Sequence, residues 1–156
     1  MKTTSVTNSP SQTKKRGEMF AKKILTARRM QKRAVVLGLK GDLGGGKTTF
    51  TQGFARGLGI KEKILSPTFI ILKKFPIQNS WFEHLYHIDC YRIENSKEIL
   101  KLGFQKILSN PKNIIIIEWV EKIRKELPKD APILRFEFRN QKKRKIILEG
   151  NLRWKN

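Results

Sequence analysis

One glycine-rich segment constrains the fold of this chain more than any other feature: residues 41–48, with the sequence GDLGGGKT. The apolar run before it, at residues 33–39, is typical of a short buried strand. After it, residues 48–58 have the pattern of a helix that Gly59 closes. A strand, a glycine loop and a helix in this order form one supersecondary unit, which predicts an α/β fold.

The segment fits the Walker A pattern, Gly-x4-Gly-Lys-Thr, in full. Glycines allow the backbone to curl so that successive N–H groups point at phosphate oxygens, and the following helix adds the positive end of its dipole. In this pattern Lys47 reaches the β- and γ-phosphates, and the hydroxyl of Thr48 ligates Mg²⁺. We therefore predict that this loop binds a nucleoside triphosphate.

Two acidic residues stand where a metal ligand and a water-activating group are expected. Glu118 ends the apolar run at residues 114–117, and Asp89 ends the run at residues 85–88. Nucleotide-bound Mg²⁺ is held by carboxylates together with phosphate oxygens. Because the carboxyl ends of parallel strands face the ligand crevice of an open α/β sheet, both acids are predicted to lie beside the glycine loop.

A hydroxyl-bearing segment, Ser66-Pro67-Thr68-Phe69, precedes the next strand-like stretch. In nucleotide switches, a hydroxyl in such a loop swings onto the metal or the γ-phosphate. Ser-Pro-Thr is also an ordinary turn, so these residues by themselves leave both interpretations open.

The N-terminal region predicts a helix over residues 10–29. Ser9 is its expected N-cap, Pro10 its first residue and Gln12 the reciprocal partner in a capping box. The residues before Ser9 are then a short flexible N-terminus, which is too short for a typical transit peptide. We therefore predict a cytoplasmic protein.

The remaining pattern predicts a mixed sheet flanked by helices. The expected elements are strands at 68–75 and 81–88 joined by a hairpin connection at 76–80, helices at 96–102 and 120–127, a strand at 113–118, and an antiparallel pair of strands at 133–138 and 145–149. The predicted organisation is a flexible segment at 1–8, one α/β P-loop NTPase-like domain at 9–150 and a C-terminal tail at 151–156.

The four motifs, in this order and spacing, resemble the TsaE (YjeE) family. They are the glycine loop, the Ser-Pro-Thr-Phe segment, His87-x-Asp89-x-Tyr91-Arg92 and Glu118-Trp119, and the resemblance runs from about residue 9 to residue 150. It implies a P-loop ATPase that is required in bacteria for making threonylcarbamoyladenosine next to the tRNA anticodon. The implied partners are TsaB and TsaD, of which TsaD transfers the carbamoyl group while the ATPase resets the complex.

The resemblance also implies roles for individual residues. ATP would be held by Gly44, Gly45, Gly46, Lys47, Thr48 and Thr49, with Trp119 near the nucleotide and Thr13 near the adenine, and Mg²⁺ by Thr48 and Glu118. The implied catalytic residues are Asp89, Glu118, Thr68 and Lys47. Two positions depart from the usual family pattern: Gly45 replaces an alanine, and Val120 stands where proline commonly follows the Glu-Trp pair.

The charge of the chain is +21, from 34 basic and 13 acidic residues. It fits a polyanionic partner such as tRNA, with direct contact left open, or a proteome whose protein surfaces are generally basic. The single cysteine, Cys90, excludes an internal disulfide and is predicted to be a buried structural thiol. Since no apolar run approaches the roughly 20 residues that span a bilayer, no membrane role is predicted.

Three other functions fit the sequence less well. A P-loop small-molecule or nucleoside kinase is the main alternative, but no segment has the character of an arginine-bearing lid. A GTPase would carry an Asn-Lys-x-Asp segment, which is absent from the sequence. A basic RNA-binding module would not explain acids at two strand ends. The spacing of His84 and His87 places them on opposite faces of a strand, which argues against a histidine metal site.

Overall fold

The computed structural model of the chain describes residues 2–27, 31–66 and 71–152. Its strands are β1 (Thr3–Thr7), β2 (Val35–Gly41), β3 (Leu72–Pro76), β4 (His84–Asp89), β5 (Asn113–Glu118), β6 (Ile133–Phe138) and β7 (Arg144–Glu149). Its helices are α1 (Pro10–Thr26), α2 (Lys47–Gly57), α3 (Phe104–Ser109) and the 3₁₀ helices η1 (Ser96–Leu102) and η2 (Val120–Glu126). The predicted single α/β domain with a mixed sheet is confirmed.

The seven strands form one sheet in the order β1-β7-β6-β2-β5-β4-β3. The four central strands, β6, β2, β5 and β4, run parallel, while β1, β7 and β3 pair antiparallel at the two edges. Every residue of β5 is buried, as expected for a parallel strand covered on both faces. The strand that leads into the glycine loop, β2, therefore lies between β6 and β5 at the centre of the sheet.

The start of the chain differs from the prediction. Residues 3–7, expected to be flexible, form the edge strand β1, which pairs with β7. This run has no apolar period for a sequence pattern to detect, and its order comes from the backbone hydrogen bonds that a sheet edge offers. At the other end, Leu152 is buried against the core although it was assigned to the tail, and residues 153–156 lie outside the described part of the chain.

The helix after β1 begins as predicted. The backbone N–H of Gln12 donates to the side chain of Ser9, the N-cap, at 3.1 Å. The side chain of Gln12 accepts from the backbone of Asn8 at 2.7 Å, one residue earlier than in the usual capping box. The last predicted residues of this helix, 28 and 29, lie outside the described ranges.

The second half of the chain follows the predicted order with one correction. Helices are present where they were predicted, at 96–102 and at 120–127, the second ending at Glu126; both are 3₁₀ helices, which is the usual form of such short pieces. A further short helix, α3, was not predicted; it follows Gly103, whose φ of 76° ends η1 and redirects the chain. The hairpin of β3 with β4 and the pair of β6 with β7 are confirmed, although residues 68–70 of the first are not described.

Helices cover both faces of the sheet, and we give each face a name. The helix face packs on α1 and α2, and the side chains buried there include Leu37 and Ile116 of the sheet and Phe50 of α2. The apolar face packs on α3, η1 and η2 and buries the alternate strand residues, among them Val36 and Ile115. In the described ranges, no helix is long and apolar enough to cross a membrane.

Candidate functional site

The glycine loop joins the end of β2 to the start of α2. Gly46 is the N-cap of α2 with φ 98°, a left-handed conformation that residues with a side chain rarely adopt. No side chain caps this helix, so the N–H groups of its first turn have no side-chain acceptor. A helix N-terminus of this kind is a site for an anion, and the loop around it fits a phosphate group.

The side chain of Lys47 is folded back onto the loop. Its Nζ donates to the backbone oxygens of Gly41 and Asp42, the latter at 2.8 Å, and lies 4.2 Å from the centroid of the Trp119 ring. Burial lowers the pKa of Lys47, and the charges of Glu118 and other acids oppose that shift. Because its present partners are neutral, the ammonium group is able to exchange them for phosphate oxygens.

The two predicted acids lie side by side at the carboxyl ends of their strands. Asp89 on β4 is the register partner of Glu118 on β5. Glu118 is only 1% exposed, and its carboxylate lies 3.3 Å from Nε2 of His87 and 3.4 Å from the hydroxyl of Thr51 on α2. The sheet register and one helix residue thus hold the acid toward the glycine loop.

These contacts move the two carboxyl pKa values in opposite directions. Burial tends to raise the pKa of Glu118, but hydrogen bonds and charge from His87, with help from Asp89 and Thr48, outweigh it and lower the pKa. The pKa of Asp89 is raised by burial and by the neighbouring Glu118. Glu118 is therefore the more acidic carboxyl group of the pair, and its carboxylate form is the one that ligates a cation.

The loop before β3 contacts Asp89. The hydroxyl of Ser66 donates to Oδ2 of Asp89 at 3.2 Å, and the backbone N–H of Tyr91 donates to Oδ1 at 3.0 Å. The predicted switch residue, Thr68, follows two positions later and lies outside the described residues. The side chain of Asp89 is thereby fixed from both sides.

These groups surround one cavity of about 390 Å³. Its lining residues are Leu43, Gly44, Gly45, Gly46, Lys47, Thr48, Thr49, Ser66, Asp89, Tyr91, Arg92, Glu118, Trp119 and Arg144. The sequence-predicted residues from Gly44 to Thr49, with Asp89, Glu118 and Trp119, are therefore brought together. Thr13 is not in the lining; it is buried behind the loop, where its hydroxyl lies 2.7 Å from that of Thr7.

The site has few side-chain ligands for a metal. The described ranges contain no group of three or more His, Cys, Asp or Glu side chains that could hold an ion. Mg²⁺ is commonly held by one or two carboxylates together with phosphate oxygens and water. The donor set of Thr48 and Glu118 beside a phosphate loop therefore fits Mg²⁺ bound with a nucleotide, and not a metal held by protein alone.

Comparison with known proteins identifies the family. The family model described as "Threonylcarbamoyl adenosine biosynthesis protein TsaE" matches residues 7–146. The chain belongs to the TsaE family. The resemblance drawn from the four motifs is thus confirmed, and the match begins at Thr7, the last residue of β1.

Individual TsaE proteins resemble the chain to different extents. A Haemophilus influenzae TsaE is 30% identical over 137 residues, covering 87% of this chain and 83% of that protein. A Bacillus subtilis TsaE is 44% identical over 95 residues, which covers 61% of this chain and somewhat more than half, 56%, of the relative. The crystal structure of Bacillus subtilis YdiB superposes with a TM-score of 0.72 at 30% identity, covering 95% of this chain and 84% of that one.

Four residues at or beside this TsaE cavity were missed or misread from the sequence. Thr51 is one helical turn after Lys47, and His87 is two strand residues before Asp89, so both spacings carried a usable signal. Tyr91, to which the sequence assigned no role of its own in the site, is 49% exposed, with its ring 5.2 Å from that of Trp119. The fourth is Arg144, the first residue of β7, which lines the cavity although no local sequence pattern marks it.

Trp119 combines an unusual backbone conformation with a half-buried position in the site. Its φ of 57° is a conformation that bulky residues avoid, and it directly follows Glu118. The turn at this point ends β5, starts η2 and places the indole ring over Nζ of Lys47. Strained residues of this kind concentrate at functional sites, which agrees with the position that the sequence assigned to Trp119.

Proposed function

We propose that this chain is a Mg²⁺-dependent ATPase that supports formation of the threonylcarbamoyl modification of adenosine next to the tRNA anticodon. It would act in the cytoplasm with TsaB and TsaD, with tRNA as the substrate of the complex, and would not perform the transfer itself. The proposal rests on membership of the TsaE family and on the geometry of the phosphate loop.

One observation supports the ATPase assignment most directly. The carboxylate of Glu118 and the buried carboxyl group of Asp89 converge on a loop whose helix N-terminus has no side-chain cap. A protein that only bound nucleotide would not need a second acid, with a raised pKa, beside the first. Two acids with divergent pKa values are typical of sites that hold a metal with one group and handle a proton with the other.

The roles of the residues follow from their positions. Lys47 would exchange its loop carbonyls for the β- and γ-phosphate oxygens, and Thr48 and Glu118 would hold Mg²⁺. When bound, the ion supplies positive charge that offsets the charge developing on the phosphate oxygens. Asp89 would orient the attacking water and accept its proton, with Ser66 holding the carboxyl group in place.

The mouth of the cavity supports action within a complex. Leu43 is 75% exposed at the tip of the glycine loop, and Leu65 is 61% exposed beside Ser66. Together with Tyr91 they place exposed apolar surface around a charged site, which is typical of a surface that a partner covers. We therefore expect slow turnover by the chain alone and faster turnover once TsaB and TsaD are bound.

The experiment that tests this function is a reconstitution. It combines tRNA, threonine, bicarbonate, ATP, the carbamoyl-adenylate synthase, TsaB and TsaD with the parent chain or with a Lys47→Ala variant. Modified tRNA is counted over several turnovers. A Lys61→Ala variant is the matched control, because Lys61 is an exposed lysine outside the cavity.

We expect multiple-turnover modification with the parent chain and with Lys61→Ala, and failure with Lys47→Ala. Equal modification in the absence of the chain would show that the pathway is wrong. In that case the kinase alternative becomes the leading one, and phosphorylation of a small-molecule acceptor is the next assay.

A further inference from the structure

The positive charge of the chain is concentrated in one part of the structure. Residues 2–27 and 137–145, which contain β1, α1 and the hairpin between β6 and β7, carry eleven Lys or Arg and two acids. The rest of the described chain carries nineteen Lys or Arg and eleven acids. A proteome with generally basic protein surfaces would spread the excess evenly, so this distribution points to a local cause.

The outer side of α1 presents lysines that have no acidic partner. Lys15 and Lys22 are exposed and seven residues apart, which places them on the same side of the helix. The one acid of α1, Glu18, already pairs with Arg56 of α2. No ion pair among the described residues includes Lys15 or Lys22. The first turn of α1 contains no acid either, so nothing on the outer side of this helix offsets its positive charge.

The hairpin between β6 and β7 holds two more unpaired lysines on an ordered turn. The side-chain oxygen of Asn140 accepts from the backbone N–H groups of Lys142 at 2.9 Å and Lys143 at 2.8 Å. Both lysines are exposed, and neither takes part in an ion pair with a described residue. The acid at the base of the hairpin, Glu137, pairs with Arg139 and other basic residues. The turn therefore presents two free ammonium groups on a backbone that is already fixed.

The hairpin and α1 lie side by side. The strand β7 begins directly after Lys143, and its first residue, Arg144, is the register partner of Thr7 on β1. The hydroxyl of Thr7 lies 2.7 Å from that of Thr13 near the start of α1, two residues before Lys15. These contacts join the two groups of lysines, and we call Lys15, Lys22, Lys142 and Lys143 together the basic surface.

The composition of the basic surface fits phosphate groups better than a protein partner. Protein–protein interfaces are depleted in lysine and have apolar or aromatic side chains at their centre. Met19 is the one exposed large apolar side chain of α1, and Phe138 at the base of the hairpin packs against Arg144. Protein–nucleic acid interfaces are polar and strongly positive, which is the character of this surface.

We propose that the basic surface binds the phosphate backbone of tRNA directly. The inference goes beyond the proposed function, in which tRNA is the substrate of the complex and not a ligand of this chain. The choice of tRNA as the polyanion rests on that function. Lysine contacts to phosphates position a nucleic acid without reading its bases, so the binding is independent of base sequence. Each contact releases counterions, so the affinity falls steeply as salt is added.

The test uses an unmodified tRNA transcript with a fluorescein label. Its fluorescence anisotropy is measured with the full chain at several KCl concentrations between about 50 and 200 mM. The basic-surface variant replaces the four lysines by glutamine, which keeps the helix propensity of α1. A control variant makes the same change in net charge at four exposed lysines on the helices that cover the apolar face: Lys97→Gln, Lys101→Gln, Lys106→Gln and Lys125→Gln.

We expect the basic-surface variant to bind tRNA at least about tenfold more weakly than the parent chain at low salt. The slope of log affinity against log salt should become shallower by about 3, because each phosphate contact contributes slightly less than one unit. The control variant should keep an affinity within about threefold of the parent value and a slope within about one unit of it. Urea unfolding of both variants checks that they are folded.

Three results would overturn the proposal. Absence of measurable tRNA binding by the parent chain at low salt would remove the ligand. Equal weakening in both variants would show that only net charge matters. Tighter binding of polyglutamate than of tRNA, lost in the basic-surface variant, would assign the surface to an acidic protein. Failure of the proposed function looks different: tRNA modification would not depend on Lys47, while tRNA binding and its loss in the basic-surface variant would remain.

Discussion

The two faces of the sheet are built in different ways. Eight polar side chains are buried in the described part of the chain, and seven of them lie on the helix face or at its edge: Thr7, Thr13, Lys47, Thr51, His87, Asp89 and Glu118. The apolar face buries one, Asn113, whose amide donates to the backbone oxygen of Ile107. The chemistry is therefore confined to one face, and the other face supports the sheet with apolar packing.

The helix that carries the chemistry is also held differently. Helices α1 and α2 approach so closely that their contacts involve backbone, through Gly17 on α1 and through Gly53 and Gly57 on α2. On the apolar face the close approach is to a side chain: a Cβ atom on Gly38 would meet Cγ2 of Val120 at 2.7 Å. Backbone cannot move aside as a side chain can, so α2 and its phosphate loop are fixed more firmly than η2.

The largest expected effect is on the helix face. A Cβ atom on Gly53 would lie 1.9 Å from the backbone oxygen of Lys14, so Gly53→Ala must push α1 and α2 apart. We expect a loss of about 3 kcal/mol or more in the free energy of unfolding, although alanine in a solvent-exposed helix stabilises by about 1 kcal/mol over glycine. Urea unfolding measures the change.

Gly17→Ala and Gly57→Ala should destabilise the chain less than Gly53→Ala does. The added atom would lie 2.3 Å from the nearest backbone oxygen at Gly17 and 2.7 Å at Gly57, so the loss of stability should fall from Gly53→Ala to Gly17→Ala to Gly57→Ala. If Gly57→Ala proved as destabilising as Gly53→Ala, the contrast between the two faces would lose its basis in backbone contact.

The second prediction compares two neighbouring residues of β5, one from each face of the sheet. Glu118 and Ile117 are neighbours on β5, the first on the helix face and the second on the apolar face. Glu118→Gln should lower ATP hydrolysis in the reconstituted complex by roughly 100-fold, because it removes the charge that holds the metal. Ile117→Val should leave hydrolysis unchanged and cost about 1 kcal/mol of stability.

Both variants are measured by ATP turnover with TsaB and TsaD and by urea unfolding. Parent-like turnover of Glu118→Gln would remove Glu118 from the proposed metal site. A large loss of turnover in Ile117→Val would show that the apolar face also contributes to the chemistry.

The third prediction concerns the apolar face alone. Gly38→Ala should cost about 2 kcal/mol, because the new methyl group meets Val120. Val120→Ala leaves space for that methyl group, so the double variant should lose at least about 1 kcal/mol less than the sum of the two single losses. Additive losses in urea unfolding would mean that the Val120 side chain is as unyielding as backbone.

The sequence predicted the parts of the site that are encoded locally. The glycine loop is one continuous pattern, and Asp89 and Glu118 each end an apolar run, so their places followed from the rule for parallel sheets. Their pairing by register was not readable, because it depends on the order of strands that are distant in the chain. Arg144 is 100 residues from Gly44, the residue it contacts, and no local pattern marks that approach.

The elements of the fold divide in the same way, into those that the local sequence encodes and those that depend on distant parts of the chain. The strand at 113–118 was predicted with its observed limits because an uninterrupted apolar run is a strong signal. The strand β1 was missed, since its order comes from pairing with β7 at the far end of the chain. Helix type was also not predictable at 96–102 and 120–127, because a seven-residue helix has too few turns for 3.6- and 3.0-residue periods to differ clearly.

The smallest expected effect concerns Cys90, which is buried on the apolar face next to the site. Cys90 follows Asp89, is fully buried, and its backbone N–H donates to the oxygen of Glu118 at 3.0 Å. Burial, with the charge of Asp89, raises the pKa of the Cys90 thiol to about 12. The thiol is therefore neutral in the folded chain at pH values where it ionises in the unfolded chain.

The sign of the pH effect follows from this difference. Above about pH 9 the unfolded chain releases the Cys90 proton while the folded chain keeps it, so folding loses stability as the pH rises toward 12. At pH 10 the loss amounts to about 1 kcal/mol, and Cys90→Ala removes it. The free energy of unfolding of the parent chain and of Cys90→Ala is measured in urea at pH 8 and at pH 10. Between these pH values the parent chain should lose about 1 kcal/mol more than Cys90→Ala does. An unchanged difference would mean that solvent reaches the thiol, and that the apolar face is open where it adjoins the site.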